Sequence, residues 1–258
     1  MRFHDRTDGG RQLAARLTAY AGRSDVTVLA LPRGGVPVAR EVATRLGAPL
    51  DIFLVRKLGV PGHPEFAMGA LAEGGVEVLS EDVIRDLGVP RALVQQVAVR
   101  ERLELERRDV LYRGGRKAHD VRGGTVILVD DGLATGSTMQ AAVQALRQRG
   151  PASIVVAAPV GARETCERLR RLADRVVCVS TPEPFSAVGL WYEEFSQTSD
   201  EEVKHLLGTT RQPARGGSTA TDPSDVVRAQ AHQLSGDPSP DDAWFERHMR
   251  SAAAARRA

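Results

Sequence analysis

Residues 126–139 read VILVDDGLATGSTM. The aliphatic run 126–129 meets two adjacent carboxylates, Asp130 and Asp131, then a turn rich in small residues, then a helical pattern from Ser137. A short apolar run bounded in this way predicts a buried strand, and the helix behind it makes a βα unit with its loop at the strand's carboxyl end. Main-chain N–H groups of Ala134, Thr135, Gly136, Ser137 and Thr138 would converge at that helix N-terminus. Together with the Thr and Ser hydroxyls they favour a phosphate dianion. Asp130 and Asp131 are placed to accept hydrogen bonds from the vicinal hydroxyls of a sugar, directly or through magnesium.

Working outward, further runs rich in β-branched residues predict strands at 26–31, 51–55, 154–159 and 175–179, and helical patterning fills 36–46, 137–149 and 162–173. Strand and helix alternate, so the expected fold class is α/β with a doubly wound parallel sheet. Residues 90–112 read as one long helix with Leu93, Val97 and Leu105 in its apolar register, Glu104 four residues before Arg108, and its charges on a solvated face. The stretch AMGALAEGGVEVL, 67–79, predicts two strands joined at Gly74-Gly75.

The 258 residues, 42% apolar and 26% charged, suit one main globular domain, expected over 1–207. A polar, Gly/Pro/Thr-rich stretch, 208–225, reads as a linker, and 226–258 as a tail with two helical patterns and no chemistry. A net charge of +2 gives no global field for nucleic acid, even with Arg247, Arg250, Arg256 and Arg257 in the tail. The two cysteines, Cys166 and Cys178, lack metal-site spacing and are expected to be isolated buried thiols. Absence of a signal-peptide run or of a spanning apolar segment gives the expectation of a cytoplasmic protein without a membrane partner.

The 126–139 segment resembles the motif with which type I phosphoribosyltransferases bind 5-phosphoribosyl-1-pyrophosphate (PRPP), and the Ala-Thr-Gly order is similar to the adenine branch. Leu31-Pro32-Arg33-Gly34-Gly35-Val36-Pro37 resembles that family's pyrophosphate loop, and Val55-Arg56-Lys57 with the Gly/Pro segment behind it resembles the entry to its mobile catalytic loop. The resemblance spans 25–195. It implies the family's sheet with a flexible flap at about 59–75 and a small hood at about 181–203. It further implies magnesium as cofactor, a homodimer, and transfer of the phosphoribosyl group from PRPP to a nitrogen acceptor, adenine-like at first guess.

Carried onto this chain, the resemblance makes Arg33, Lys57, Asp130 and Asp131 the catalytic set. Arg33, Gly34, Gly35, Arg56, Lys57, Asp130, Asp131, Ala134, Thr135, Gly136, Ser137 and Thr138 would bind PRPP, and the Pro32–Arg33 peptide is the candidate for a non-proline cis bond. Phe185, Trp191 and Tyr192 would stack on the base, and Glu193 or Glu194 would join Asp130 and Asp131 around magnesium. Glu65 or Glu73 is a candidate proton donor, while His63 and Glu65 lack the partners of a metal site. Family members acting on 6-oxopurines carry Asp where this chain has Ala134, which argues against those acceptors. The rival reading is a non-catalytic PRPP-sensing regulatory protein. A P-loop nucleotide hydrolase is excluded for want of a GxxxxGK[ST] loop.

Overall fold

The computed structural model describes residues 2–61 and 63–208, the side chains of 63–66 excepted. Its strands in chain order are β1 (Val26–Ala30), β2 (Leu50–Ile52), β3 (Val55–Val60), β4 (His63–Ala72), β5 (Val76–Leu79), β6 (Thr125–Val129), β7 (Ser153–Val160) and β8 (Arg175–Ser180). The helices are α1 (Arg6–Arg16), α2 (Gly35–Leu46), α3 (Glu81–Asp86), α4 (Arg91–Arg113), α5 (Ser137–Gln148), α6 (Arg163–Leu169) and α7 (Asp200–Leu206). Apart from Gly208, the expected linker and tail lie outside the described residues, as do the side chains of His63 and Glu65.

The main sheet is parallel, in the order β2-β1-β6-β7-β8. β1 and β6 are buried at every position because both faces are covered. Alternate residues serve different layers, as a period of two requires. Val28 and Ala30 of β1, with Ile127 and Val129 of β6, face the core shared with α1, α2, α4 and α7. Leu29, Val126 and Leu128 face the core shared with α5 and α6. Among the described residues, no helix is long and apolar enough to cross a membrane.

The expected flap is more regular than its Gly/Pro content suggested. β3, β4 and β5 form an antiparallel three-stranded sheet, with β3 and β4 in register from Val55 opposite Ala72 to Leu58 opposite Gly69. The turn at Gly74-Gly75 joins β4 to β5 as predicted.

The expectation of a solvated charged face on α4 needs correction. Glu101 is buried and paired with Arg56 of β3 at 2.7 Å, and Arg113 is only 3% exposed. Arg113 bonds Asp51 at 3.1 Å, Glu73 at 2.7 Å, the Ile52 carbonyl at 2.7 Å, and Asp109. Glu73 takes a second cation, Arg149, at 2.6 Å and accepts from the Leu54 N–H. Burial pushes the Glu73 carboxyl above its ordinary range while Arg113 pulls it back. Glu73 is therefore a buried structural anion, and its candidacy as a proton donor falls.

Removing one member of such a network strands the others without water. Arg113→Met should lower unfolding free energy by about 3–5 kcal/mol in a urea titration. Arg85→Ala, which breaks an exposed pair with Asp82, should change it by less than about 1 kcal/mol.

Candidate active site

β1 and β6 run side by side, Ala30 opposite Val129. The chain continues from β1 to β2 on one side and from β6 to β7 on the other, so the loops leaving this pair diverge. In doubly wound sheets that divergence opens the ligand crevice. Here the two loops also touch. A Cβ on Gly34 would lie 2.0 Å from Asp131 Oδ2, and one on Gly35 would lie 2.7 Å from the Val129 carbonyl. Any side chain at either position would force the loops apart. The Leu31 N–H donates to the Val129 carbonyl at 2.9 Å, and the peptide between Pro32 and Arg33 is cis.

Beyond the acid pair the loop is tied down from behind. Leu133 is buried and bonds Val160 and Ala162 through its backbone. From α6, Thr165 Oγ1 donates to the Ala134 carbonyl at 2.6 Å and the Arg168 guanidinium to the Thr135 carbonyl at 2.8 Å. With those carbonyls engaged, the loop's other edge is left open. Among the described residues, the N–H groups of Ala134, Thr135 and Gly136 donate to no backbone carbonyl, and Ala134, Thr135, Ser137 and Thr138 are exposed. Gly136, at φ +70°, opens α5 from the left-handed region, and its Cα packs against Thr165 so closely that a Cβ would come within 2.4 Å. The result is a concavity of backbone donors at the start of a twelve-residue helix.

The acid pair is held by Arg6, which the sequence did not single out, and by Tyr192, which the resemblance had assigned to the base. Arg6, in the first turn of α1, donates from Nε to Asp131 Oδ2 at 2.8 Å. The same guanidinium donates to the Ser196 carbonyl at 2.6 Å and stacks 3.9 Å over the Phe195 ring. Tyr192 donates its hydroxyl to the Asp131 carbonyl at 2.6 Å, and the Asp131 N–H donates to Asp130 Oδ1 at 2.9 Å. Burial, and then the charge of Asp131, push the Asp130 carboxyl well above the usual carboxylate range. Burial also raises Asp131, with Arg6 opposing.

The family model of the phosphoribosyl transferase domain matches residues 3–194. The chain belongs to the phosphoribosyl transferase family. Two relatives from Mycobacterium tuberculosis, strains CDC 1551 and H37Rv, carry a provisional phosphoribosyl transferase name and are 49% identical over 205 residues, 80% of this chain and 46% of theirs. The chain thus spans about half the length of these curated relatives. The crystal structure of TT1426 from Thermus thermophilus matches with a TM-score of 0.73 at 46% identity, covering 80% of this chain and 98% of that one. A ribose-phosphate pyrophosphokinase of Mycobacterium leprae is 30% identical over 141 residues, 54% of this chain and 36% of its own. The family match begins ahead of residue 25, where the resemblance in sequence starts, and takes in Arg6.

The other residues that the family resemblance nominated fall in several places. Pro32, Arg56 and Thr138 line one cleft with Leu54 and, from α4, Arg108. Arg56 is tethered there by Glu101, while Lys57 follows it on β3, half-buried. Arg33 reaches Asp200 at 3.6 Å, and Asp200 also accepts from Tyr112 at 2.6 Å, so α7 anchors the loop after β1. Burial and Asp200 push the Tyr112 phenol up to about 12.

In the hood Phe185 and Trp191 stack with centroids 6.4 Å apart, and Val188 sits on Gly132, where a Cβ would come within 2.4 Å. Two hood assignments need correction. Tyr192 is 4% exposed, packed on Phe3 with its hydroxyl spent on Asp131, so it offers no face to a base. Glu193 is exposed and bonds His4 at 3.2 Å, and among the described residues it does not gather with Asp130 and Asp131 into a group of three that could hold a metal. The cysteines are not isolated either, since their sulfurs lie 3.1 Å apart.

A buried carboxyl less acidic than its unfolded counterpart loses its proton later on folding, so rising pH favours the unfolded chain between the two values. Asp130 thus costs stability at neutral pH, and the cost disappears below the unfolded value of about 3.9. Asp130→Asn, which keeps the acceptor for the Asp131 N–H, should raise the melting temperature at neutral and alkaline pH. That gain should shrink toward zero in scans taken at progressively lower pH, to about pH 4.

Proposed function

We propose that the protein binds PRPP in the crevice between the 31–35 and 130–138 loops and transfers its phosphoribosyl group to a nitrogen acceptor, releasing pyrophosphate. The close seating of Gly34 on Asp131 carries this reading. It sets a donor nest for the 5-phosphate, two carboxylates for the ribose hydroxyls, and a glycine loop with Arg33 for pyrophosphate within one crevice. Lys57 and the tethered Arg56 flank the pyrophosphate side. These donors stand ready for charge that develops on the leaving oxygen, so little rearrangement is needed during reaction.

Among the described residues no three His, Cys, Asp or Glu groups gather into a metal cage. An adjacent pair of carboxylates nevertheless suits magnesium, which takes one or two protein oxygens and completes its shell with water and substrate phosphate. Asp130 and Asp131 would hold it, and it would supply neutralisation of the pyrophosphate charge. For the acceptor, the Trp191 indole N–H is buried without an acceptor atom among the described residues, beside the stacked Phe185 ring. A planar base would stack on the partly exposed Phe185–Trp191 pair rather than reach that buried N–H, and Ala134 offers no carboxylate to a 6-oxopurine. Adenine is therefore the first acceptor to test.

Calorimetric titration of PRPP with magnesium, followed in the same samples by a pyrophosphate-release screen over nucleobases, decides the matter. Wild type should bind and release with one base. The Asp130→Asn, Asp131→Asn double variant should lose affinity by about a hundredfold, the loss of two charge-assisted hydrogen bonds. Unchanged affinity in the double variant would overturn the assigned roles. Binding without release across the screen would mark a PRPP sensor, and no binding by wild type would end the proposal.

A further inference from the structure

Cys166 on α6 and Cys178 on β8 are unbonded, with sulfurs 3.1 Å apart. Both close over the backbone of Gly161, where a Cβ would meet Cys166 Sγ at 2.8 Å and Cys178 Sγ at 3.3 Å. Their surroundings differ. Cys166 is 1% exposed, whereas Cys178 lines an open groove along the edge strand β8 with Arg16, Arg170, Arg175 and Thr181. A small oxidant entering the groove reaches the partly buried Cys178 before Cys166 behind it. The mutual hydrogen bond holds the Cys166 thiol below the ordinary thiol range and pushes Cys178 above it, because the proton remaining after one ionisation is shared. Arg170 at the groove favours the thiolate on either sulfur.

We propose that Cys166 and Cys178 are a reversible redox site, oxidised by a peroxide to an intramolecular disulfide that braces the 134–138 loop through α6. Cys178, the sulfur at the groove, attacks the O–O bond of hydrogen peroxide while its own proton passes across the contact to Cys166 and on to the leaving oxygen. Water leaves and a sulfenic acid remains. Cys166 sulfur then displaces the sulfenic hydroxyl, forming the S–S bond and a second water. Two electrons pass from the thiols to the peroxide, and a dithiol reverses the change.

The link to the loop is α6 itself. Thr165 and Arg168, which hold the Ala134 and Thr135 carbonyls, flank Cys166 on this seven-residue helix. A covalent tie from α6 to β8 closes a short loop and suppresses local opening of the helix. The functional meaning of that brace rests on reading 134–138 as the phosphate site, whereas the disulfide does not depend on it.

The test uses the full chain, reduced, freed of reductant and exposed to hydrogen peroxide. Expected are an intact mass lower by about 2 Da, loss of both thiols to alkylation, and recovery of both with dithiothreitol. Amide exchange at the hydrogen-bonded N–H groups of Ala162, Cys166 and Arg170, the first of which ties α6 to the Leu133 carbonyl ahead of the loop, should slow by about tenfold or more in the oxidised protein. Cys178→Ser should show no such mass loss. A mass gain from sulfinic acid at Cys178 with Cys166 still alkylatable, or disulfide-linked dimers, would overturn the site. A disulfide with unchanged exchange at Ala162, Cys166 and Arg170 would overturn the brace. Failure of PRPP binding leaves the mass result standing and falls on the proposed function alone.

Discussion

Contact between a glycine turn and an acidic strand end organises this molecule. Gly34 lies so close to Asp131 that no side chain fits between them, and a Cβ on Gly35 would come within 2.7 Å of the end of β6. Two loops leaving adjacent strands in opposite directions would otherwise splay apart. Arg6 holds Asp131 from the front, Tyr192 holds its carbonyl, and Val188 closes over Gly132. α1 and the 185–196 segment, distant in sequence, therefore become walls of one crevice.

Two sets of buried charges contrast in what they do. Around Arg113 each carboxylate has a cation and hydrogen bonds, so the network joins α4, β2 and the turn before β5 without a functional residue. Among the described residues Asp130 makes no ion pair, and it lies against another carboxylate, so burial and repulsion raise its proton affinity. A fold gains nothing from such a group when alone. In the function proposed above, the charge that this carboxyl lacks arrives with the ligand.

α6 shows how a short element can position chemistry without touching it. Its Thr165 and Arg168 engage the carbonyls of the loop's rear edge and so leave the N–H edge facing the crevice. Cys166 lies on the same helix, one residue from Thr165 and two from Arg168, the groups that hold the loop.

The order of strands and helices was legible in the sequence because burial on both faces of a parallel sheet leaves unbroken β-branched runs, such as 125–129 and 153–160, between helical repeats. The acid pair, the nest and the glycine turn were legible for a related reason: phosphate binding depends on local backbone conformation, which short motifs specify. Arg6, Arg108, the burial of Glu73 and Tyr192, and the meeting of Cys166 with Cys178 were not. Each depends on which side chains from remote segments share a volume, and neither α1 nor the 192–196 stretch carries a local pattern that names its partner. Sequence alone determined the sheet and the loops that line its crevice; tertiary packing decided which charges are balanced there, because long-range contacts set desolvation and local periodicity does not.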